Sequence, residues 1–416
     1  MITISRLYHN LFFLLIISTA YSAQGVYGFR ISDLFLYLII GLGFFLSYRK
    51  QDSSLWLLSS SVIILALMND FYFFAIQLDY SVFENIHRSI RYDRILLYIK
   101  YITFFSLPLA LTTLQNNSTY SEDNINQKNT IKNGLVALYF LMIILLTFQY
   151  ISLKPDRLSF PFSGSNIMWP QKTDGHVLAI VMAFLVAFVQ TTFCRAKSTF
   201  TKFITIIPGI IVTLLTGSSG GVVILFIFYL LYLKLKTLMK PLLILSVIMG
   251  FIFLFVENQI IIEFIKDSPL SRALSVPRLI YENMLTDDIN RLTIHFLVLT
   301  DLLESGRILH GFGFLGMSHY YYDSFIPSLI APFGISGLIL FFLFMYLVYK
   351  KNSPHLIAEK KIFNIFVILF IVAIFISEYH LVVRGYSIMI ACLYYFSGSN
   401  HLLDQENDLQ VEYSQK

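Results

Sequence analysis

Stretches of mostly apolar residues, each near the roughly 20 that an α-helix needs to cross the hydrocarbon core of a bilayer, recur about twelve times along this chain. They centre on residues 7–24, 31–48, 54–77, 95–114, 134–152, 175–194, 203–216, 219–238, 241–260, 325–349, 362–380 and 384–398. In lipid no water is at hand to bond the backbone N–H and C=O groups, so a run of this length has to be helical. The sequence therefore predicts an all-α polytopic membrane protein with about twelve transmembrane helices, a single integral membrane domain over residues 1–416. The first run follows Arg6 and His9 but offers no clear small-residue cleavage site, and it reads as a retained helix and not as a signal peptide.

Composition narrows the partners. Hydrophobic residues make up 56% of the chain and charged residues 13%, with a mean hydropathy of +0.70, against about 25% charged in soluble domains. A lipid bilayer is the first partner this implies. The net charge of +5 is small for 416 residues, and it falls mostly at segment ends, where lysine and arginine orient helices; no nucleic-acid partner is expected. Cys194 and Cys392 lie in apolar runs without a spacing partner, which supports neither a disulfide framework nor a thiolate metal site.

The basic residues also give an orientation. With a cytoplasmic N-terminus, the short inner turns carry Arg49 and Lys50, Lys128 and Lys132, Arg195, Lys197 and Lys202, Lys234, Lys236 and Lys240, and then Lys350, Lys351, Lys360 and Lys361, as the positive-inside rule requires. Both termini then face the cytoplasm. The opposite side receives residues 78–94, the loop 153–174 and the large loop 258–324, which lies between the ninth and tenth runs and has short-helix patterning. The polar inner stretch 115–130 reads as a mobile loop, and its Asn116-Asn117-Ser118-Thr119 sequon as chance on that side.

Residues 287–337 gather charge, aromatics and glycine between apolar segments, and function is to be sought there. Arg291 and Arg307 fall on an amphipathic helix, Gly311-Phe312-Gly313 makes a turn, and His319, Tyr320, Tyr321, Tyr322 and Asp323 lead into the next apolar run. Arginine presents a planar, permanently charged fork suited to phosphate, and glycine lets backbone approach a ligand. Positive charge on the disfavoured side points the same way: Arg88, Arg91 and Arg94 in the first outer loop, Arg157 in the second, Arg291 and Arg307 in the third. Arg88, Arg91 and Arg94 are three residues apart and also suit a solvated helix face paired with Glu84 and Asp93. Tyr320 and Tyr321 suit either an interfacial aromatic belt or a platform for sugar stacking. Asn69 and Asp70, inside the third run, are costly in lipid and carry a functional reading unless they reach the interface. Asp301 and Glu304 can chelate but pair more naturally with Arg307, so neither a metal nor another cofactor is expected.

Three pieces together resemble the superfamily of O-antigen polymerases and O-antigen ligases, bacterial membrane glycosyltransferases. DRLSFPFSGSN at 156–166 is similar to that family's external arginine followed by glycine and asparagine; TGSSGG at 216–221 resembles its Thr-Gly-Ser-Arg-Gly hairpin, with Ser219 where arginine is usual. The third piece is Arg291, then Gly311-Phe312-Gly313, then Asp323-Ser324, nine residues, Gly334, two residues and Gly337. Read alone, the Gly217, Gly220 and Gly221 hairpin equally suits a tight turn.

The resemblance implies a fold like the C-type glycosyltransferases and a metal-independent, inverting transfer of a growing glycan from polyprenyl diphosphate to a second lipid-linked repeat unit at the periplasmic face of the bacterial inner membrane. Polyprenyl-diphosphate-linked oligosaccharides are then donor and acceptor, and a chain-length regulator is a candidate partner. Arg157 and Arg291 would stabilise the diphosphate leaving group. Asp323, in place of the ligases' histidine, would take the acceptor proton, with His319 as the alternate; Asp323 also suits a helix N-cap before Phe325. Arg88, Arg91, Tyr320, Tyr321, Gly311 and Gly313 would line the substrate path. A ligase acting on lipid A core and a non-enzymatic flippase are the rival expectations.

Overall fold

The computed structural model describes residues 4–20, 31–50, 53–76, 90–116, 121–153, 158, 160, 175–195, 197–233, 291–313, 325–354, 357–376 and 383–397. Within them the chain is all helical. In order the helices are α1 (Ile4–Ser18), α2 (Ile31–Lys50), α3 (Ser53–Ile76), α4 (Ile90–Asn116), α5 (Ser121–Leu153) and α6 (Gly175–Thr191). The second half holds α7 (Thr199–Leu215), α8 (Ser219–Tyr232), α9 (Arg291–Glu304), α10 (Phe325–Asn352), α11 (Ile357–Ile376) and α12 (Val383–Phe396).

Eleven of these overlap the expected apolar runs, and the run at 241–260 lies outside the described residues. The remaining helix is α9, the amphipathic segment that begins at Arg291. Among the described residues four helical stretches are long and apolar enough to cross a membrane: Ile31–Arg49, Ser53–Phe71, Lys128–Leu153 and Leu329–Asn352. Six further apolar helices are shorter. One expectation is corrected: much of the polar stretch 115–130 is helical, because α5 begins at Ser121 and runs without interruption into its apolar half.

A helix that is apolar on every side has to be buried on every side. In α6 all side chains from Val177 to Val189 are buried, and α5, α7, α8 and α12 pack around it. The second half of α4 and most of α12 form a second buried column. Around these columns the pattern of a soluble protein is reversed: on α5, Ile144, Phe148 and Ile151 recur at helical spacing on the exposed face. Such a stripe in water is an aggregation liability, whereas in lipid it is an ordinary surface. Small residues let helices approach closely. A Cβ on Gly221 would stand 2.8 Å from the Ala179 carbonyl oxygen, so α8 lies against α6 backbone to backbone there.

Polar groups inside the bundle are paired across helices. Ser59 and Ser106 hydroxyls are 2.7 Å apart, the Tyr229 hydroxyl donates to Gln190 Oε1 at 2.7 Å, and the Thr112 hydroxyl donates to Asn352 Oδ1 at 3.0 Å. Pro108 inside α4 has no N–H for the carbonyl of Phe104, four residues earlier. The Tyr386 hydroxyl of α12 donates to that same carbonyl. These contacts also fix direction. Lys351 Nζ donates to Ser54 near the start of α3, and the other end of α3 meets the first half of α10, so the two helices are antiparallel.

Candidate functional site

The first half of α10 ends at a break. Gly334 has φ 61° and ψ −151°, which no residue within a helix adopts, and Pro332 lacks the N–H that would continue the ladder. In an unbroken helix Ile335 N–H would donate to Ala331 and Ser336 N–H to Pro332. Here the loop 308–313 is inserted into both bonds. Ile335 N–H donates to Ile308 at 2.9 Å and Ser336 N–H to Leu309 at 3.2 Å, while the freed carbonyls of Ala331 and Pro332 accept from Phe312 N–H at 2.6 Å and Gly313 N–H at 3.1 Å. Two helical bonds become four inter-segment bonds, and the Ser336 hydroxyl adds a fifth to Leu309 at 2.7 Å. Irregular backbone at membrane depth is tolerated only where protein satisfies it, and this loop does so.

The inserted loop has its own geometric origin. α9 closes with Gly306 at φ 68°, Gly306 N–H bonding Leu303 at 3.1 Å and Arg307 N–H bonding Leu302 at 2.8 Å, the helix-ending arrangement for which glycine is preferred. The carbonyl of Arg307 then accepts from His310 and Gly311, a tight turn that delivers Gly311-Phe312-Gly313 to the break. Gly311 has φ 78°, and a Cβ there would stand 2.5 Å from the carbonyl carbon of Pro332 and 2.6 Å from the nitrogen of Gly334. A Cβ on Gly334 would meet the Ile308 oxygen at 2.6 Å. Each of these glycines leaves room for the other's backbone.

α3 locks the junction from a third side. Asn69 Nδ2 donates to Pro332 O at 2.9 Å and also to His310 O, so one amide holds both the helix and the loop. Asp70 accepts from the Tyr98 hydroxyl of α4, and its backbone nitrogen lies 3.0 Å from where a Gly313 Cβ would stand. Both residues are buried. The pairing accounts for how two costly polar groups are accommodated there. Arg307 is 94% buried, its guanidinium 5.7 Å from the centre of the Phe312 ring, and Glu304 is exposed.

Of the expected site residues, Gly311 and Gly313 belong to this junction. Arg91 lies in the first turn of α4 and Arg291 begins α9; Arg88, Arg157, His319, Tyr320, Tyr321 and Asp323 lie outside the described residues. Tyr98, His310 and Phe333, which packs edge-on against Tyr101 at 5.4 Å, were not singled out by the sequence.

The second glycine element forms the turn between α7 and α8. Gly217 has φ 66°, Ser218 is buried with its hydroxyl 2.9 Å from His176 Nδ1, and Leu158 N–H donates to Leu215 at 3.1 Å. The residue after Arg157 is thus pinned to this hairpin. The tight-turn reading accounts for Gly217, and close contact with α6 accounts for Gly221. Comparison of the chain with protein-family models, with curated proteins and with solved structures finds no match in any of the three.

Proposed function

We propose that this chain is a polysaccharide polymerase of the bacterial inner membrane, of the O-antigen type, with twelve spans, both termini in the cytoplasm and its chemistry at the periplasmic face. The observation that carries the reading is the α10 junction. Gly311-Phe312-Gly313 and Gly334, separate elements of the family resemblance, meet backbone to backbone here, and His319 and Asp323 fall between them in sequence. A discontinuous helix at membrane depth is also a feature of membrane proteins that handle polar substrates near lipid.

In this reading an acceptor hydroxyl oxygen attacks the anomeric carbon of the donor glycan, the bond to polyprenyl diphosphate breaks, and the diphosphate leaves with the electron pair. The hydroxyl proton passes to Asp323, or to His319. Arg157 and Arg291 bind the diphosphate oxygens as charge grows on them, the kind of preorganised stabilisation whose removal costs ~2.7–4 kcal/mol per donor. Arg88, Arg91, Tyr320 and Tyr321 hold the saccharides.

Purified protein incubated with one synthetic polyprenyl-diphosphate repeat unit is expected to yield a ladder of longer lipid-linked products. Transfer only to lipid A core would make it a ligase. Movement of the lipid-linked unit across a vesicle membrane without elongation would make it a flippase.

A further inference from the structure

At the opposite end of the bundle, the turn between α6 and α7 carries Arg195 and Lys197, and the first turn of α7 carries Lys202. Arg195 and Lys197 are exposed and Lys202 is half-buried. Among the described residues none of the three forms an ion pair with a carboxylate. Segment-end cations are expected in any membrane protein; here three of them fall between residues 195 and 202, beside exposed aromatic rings. Directly beside them on α7, Phe200 and Phe203 are 72% and 63% exposed. Bare aromatic surface therefore begins where the cations end. The Lys197 ammonium lies 5.7 Å from the centre of the Phe193 ring, and that ring meets Phe140 of α5 edge-on at 6.1 Å, so the lysine is seated on packed aromatics.

A cationic cluster bordered by exposed aromatic rings suits one kind of molecule, an anion with an apolar tail. We propose that the α6–α7 turn binds an anionic phospholipid, its headgroup phosphate on Arg195, Lys197 and Lys202 and an acyl chain along Phe200 and Phe203. Inorganic phosphate shares the headgroup chemistry but has no chain to lay on the rings, which separates the two sources. The inference is independent of the proposed polymerase activity.

The test uses the full chain in phosphatidylcholine nanodiscs and measures the association of spin-labelled phosphatidylglycerol relative to spin-labelled phosphatidylcholine. The intact protein is expected to prefer phosphatidylglycerol. The preference should fall by roughly a hundredfold in R195Q/K197Q/K202Q, at about fivefold per cation near a membrane surface, and by a smaller factor in R195Q alone. K360Q/K361Q, which removes two exposed cations from the start of α11, where the neighbouring Phe363 is buried, is expected to leave it unchanged. Equal loss in K360Q/K361Q would mean diffuse surface charge and overturn the site, as would equal binding of both lipids by the intact protein. Full displacement of the lipid by millimolar inorganic phosphate would overturn the assignment to phospholipid. Gel filtration of each variant as a single symmetric species separates these outcomes from misfolding.

Discussion

Asn69 of α3 and Pro332 of α10, distant in sequence, are joined by a 2.9 Å hydrogen bond from Nδ2, and the same amide nitrogen also serves His310. Both N–H groups of one carboxamide are therefore spent on carbonyls that a broken helix and its inserted loop expose. Removing them leaves buried acceptors unmet, at ~1–3 kcal/mol. Asn69→Ala is expected to lower the unfolding temperature in detergent. Asn69→Asp should lower it further, because a carboxylate has no N–H and faces two oxygens. Equal stability of Asn69→Asp and the unmodified protein would contradict the lock.

The positive-φ glycines of this region should rank by what surrounds them. Gly306, at φ 68°, has open space around a would-be Cβ, so Gly306→Ala carries only the conformational term of ~1–2 kcal/mol. Gly311→Ala and Gly334→Ala add collisions with backbone at 2.5–2.6 Å that cannot move without parting the loop from the helix. Thermal unfolding of the three variants should therefore place Gly306→Ala nearest the unmodified protein. Similar losses for all three would mean that the close approach at the break is not maintained.

This junction also marks how far the sequence could be read. Helix positions were legible because lipid imposes a length on every span: α3 at Ser53–Ile76 against an expected 54–77 is set by that constraint alone. The break was not, since Pro332 and Gly334 sit within an apolar run of full length, and the bonds that stabilise them come from the separate segment 308–313. Asn69 and Asp70 were legible as anomalies, since polar groups in lipid need partners, but the partners are two backbone carbonyls and a tyrosine, which carry no pattern. The burial of Arg307 was not legible either: helical spacing offers Asp301 or Glu304 as partners, but only the turn at Gly306 lays its guanidinium on Phe312.

A third prediction concerns Pro108. Its missing N–H leaves the Phe104 carbonyl dependent on the Tyr386 hydroxyl. Tyr386→Phe keeps the ring, which stacks at 4.9 Å on Phe104, and removes only the donor. A loss of ~1–2 kcal/mol is expected, in the range for interhelical hydrogen bonds in membranes. In the Pro108→Ala background the carbonyl regains a helical donor, so the effect of Tyr386→Phe should shrink. A double-mutant cycle with no coupling between the two positions would show that the hydroxyl is not filling the proline's gap.

The last prediction tests the chemistry and depends on sidedness, so a reporter fused at Ser163 or Asn283 should first indicate the periplasm, and one at Asn126 the cytoplasm. Given that result, Arg157→Ala and Arg291→Ala are each expected to abolish polymer formation at normal protein level. Lysine should restore little at either position, because a point charge does not reproduce a bidentate fork on diphosphate. Arg307→Ala should instead lower stability, since its guanidinium is buried against Phe312. At Asp323 one substitution separates the two roles. Asparagine caps a helix as well as aspartate does but cannot accept a proton at neutral pH. Asp323→Asn is therefore expected to lose most polymerisation, with His319→Ala retaining part of it. Full activity in Asp323→Asn would leave that residue as a cap for α10 and move the search for the base to His319, whose alanine variant would then have to be inactive.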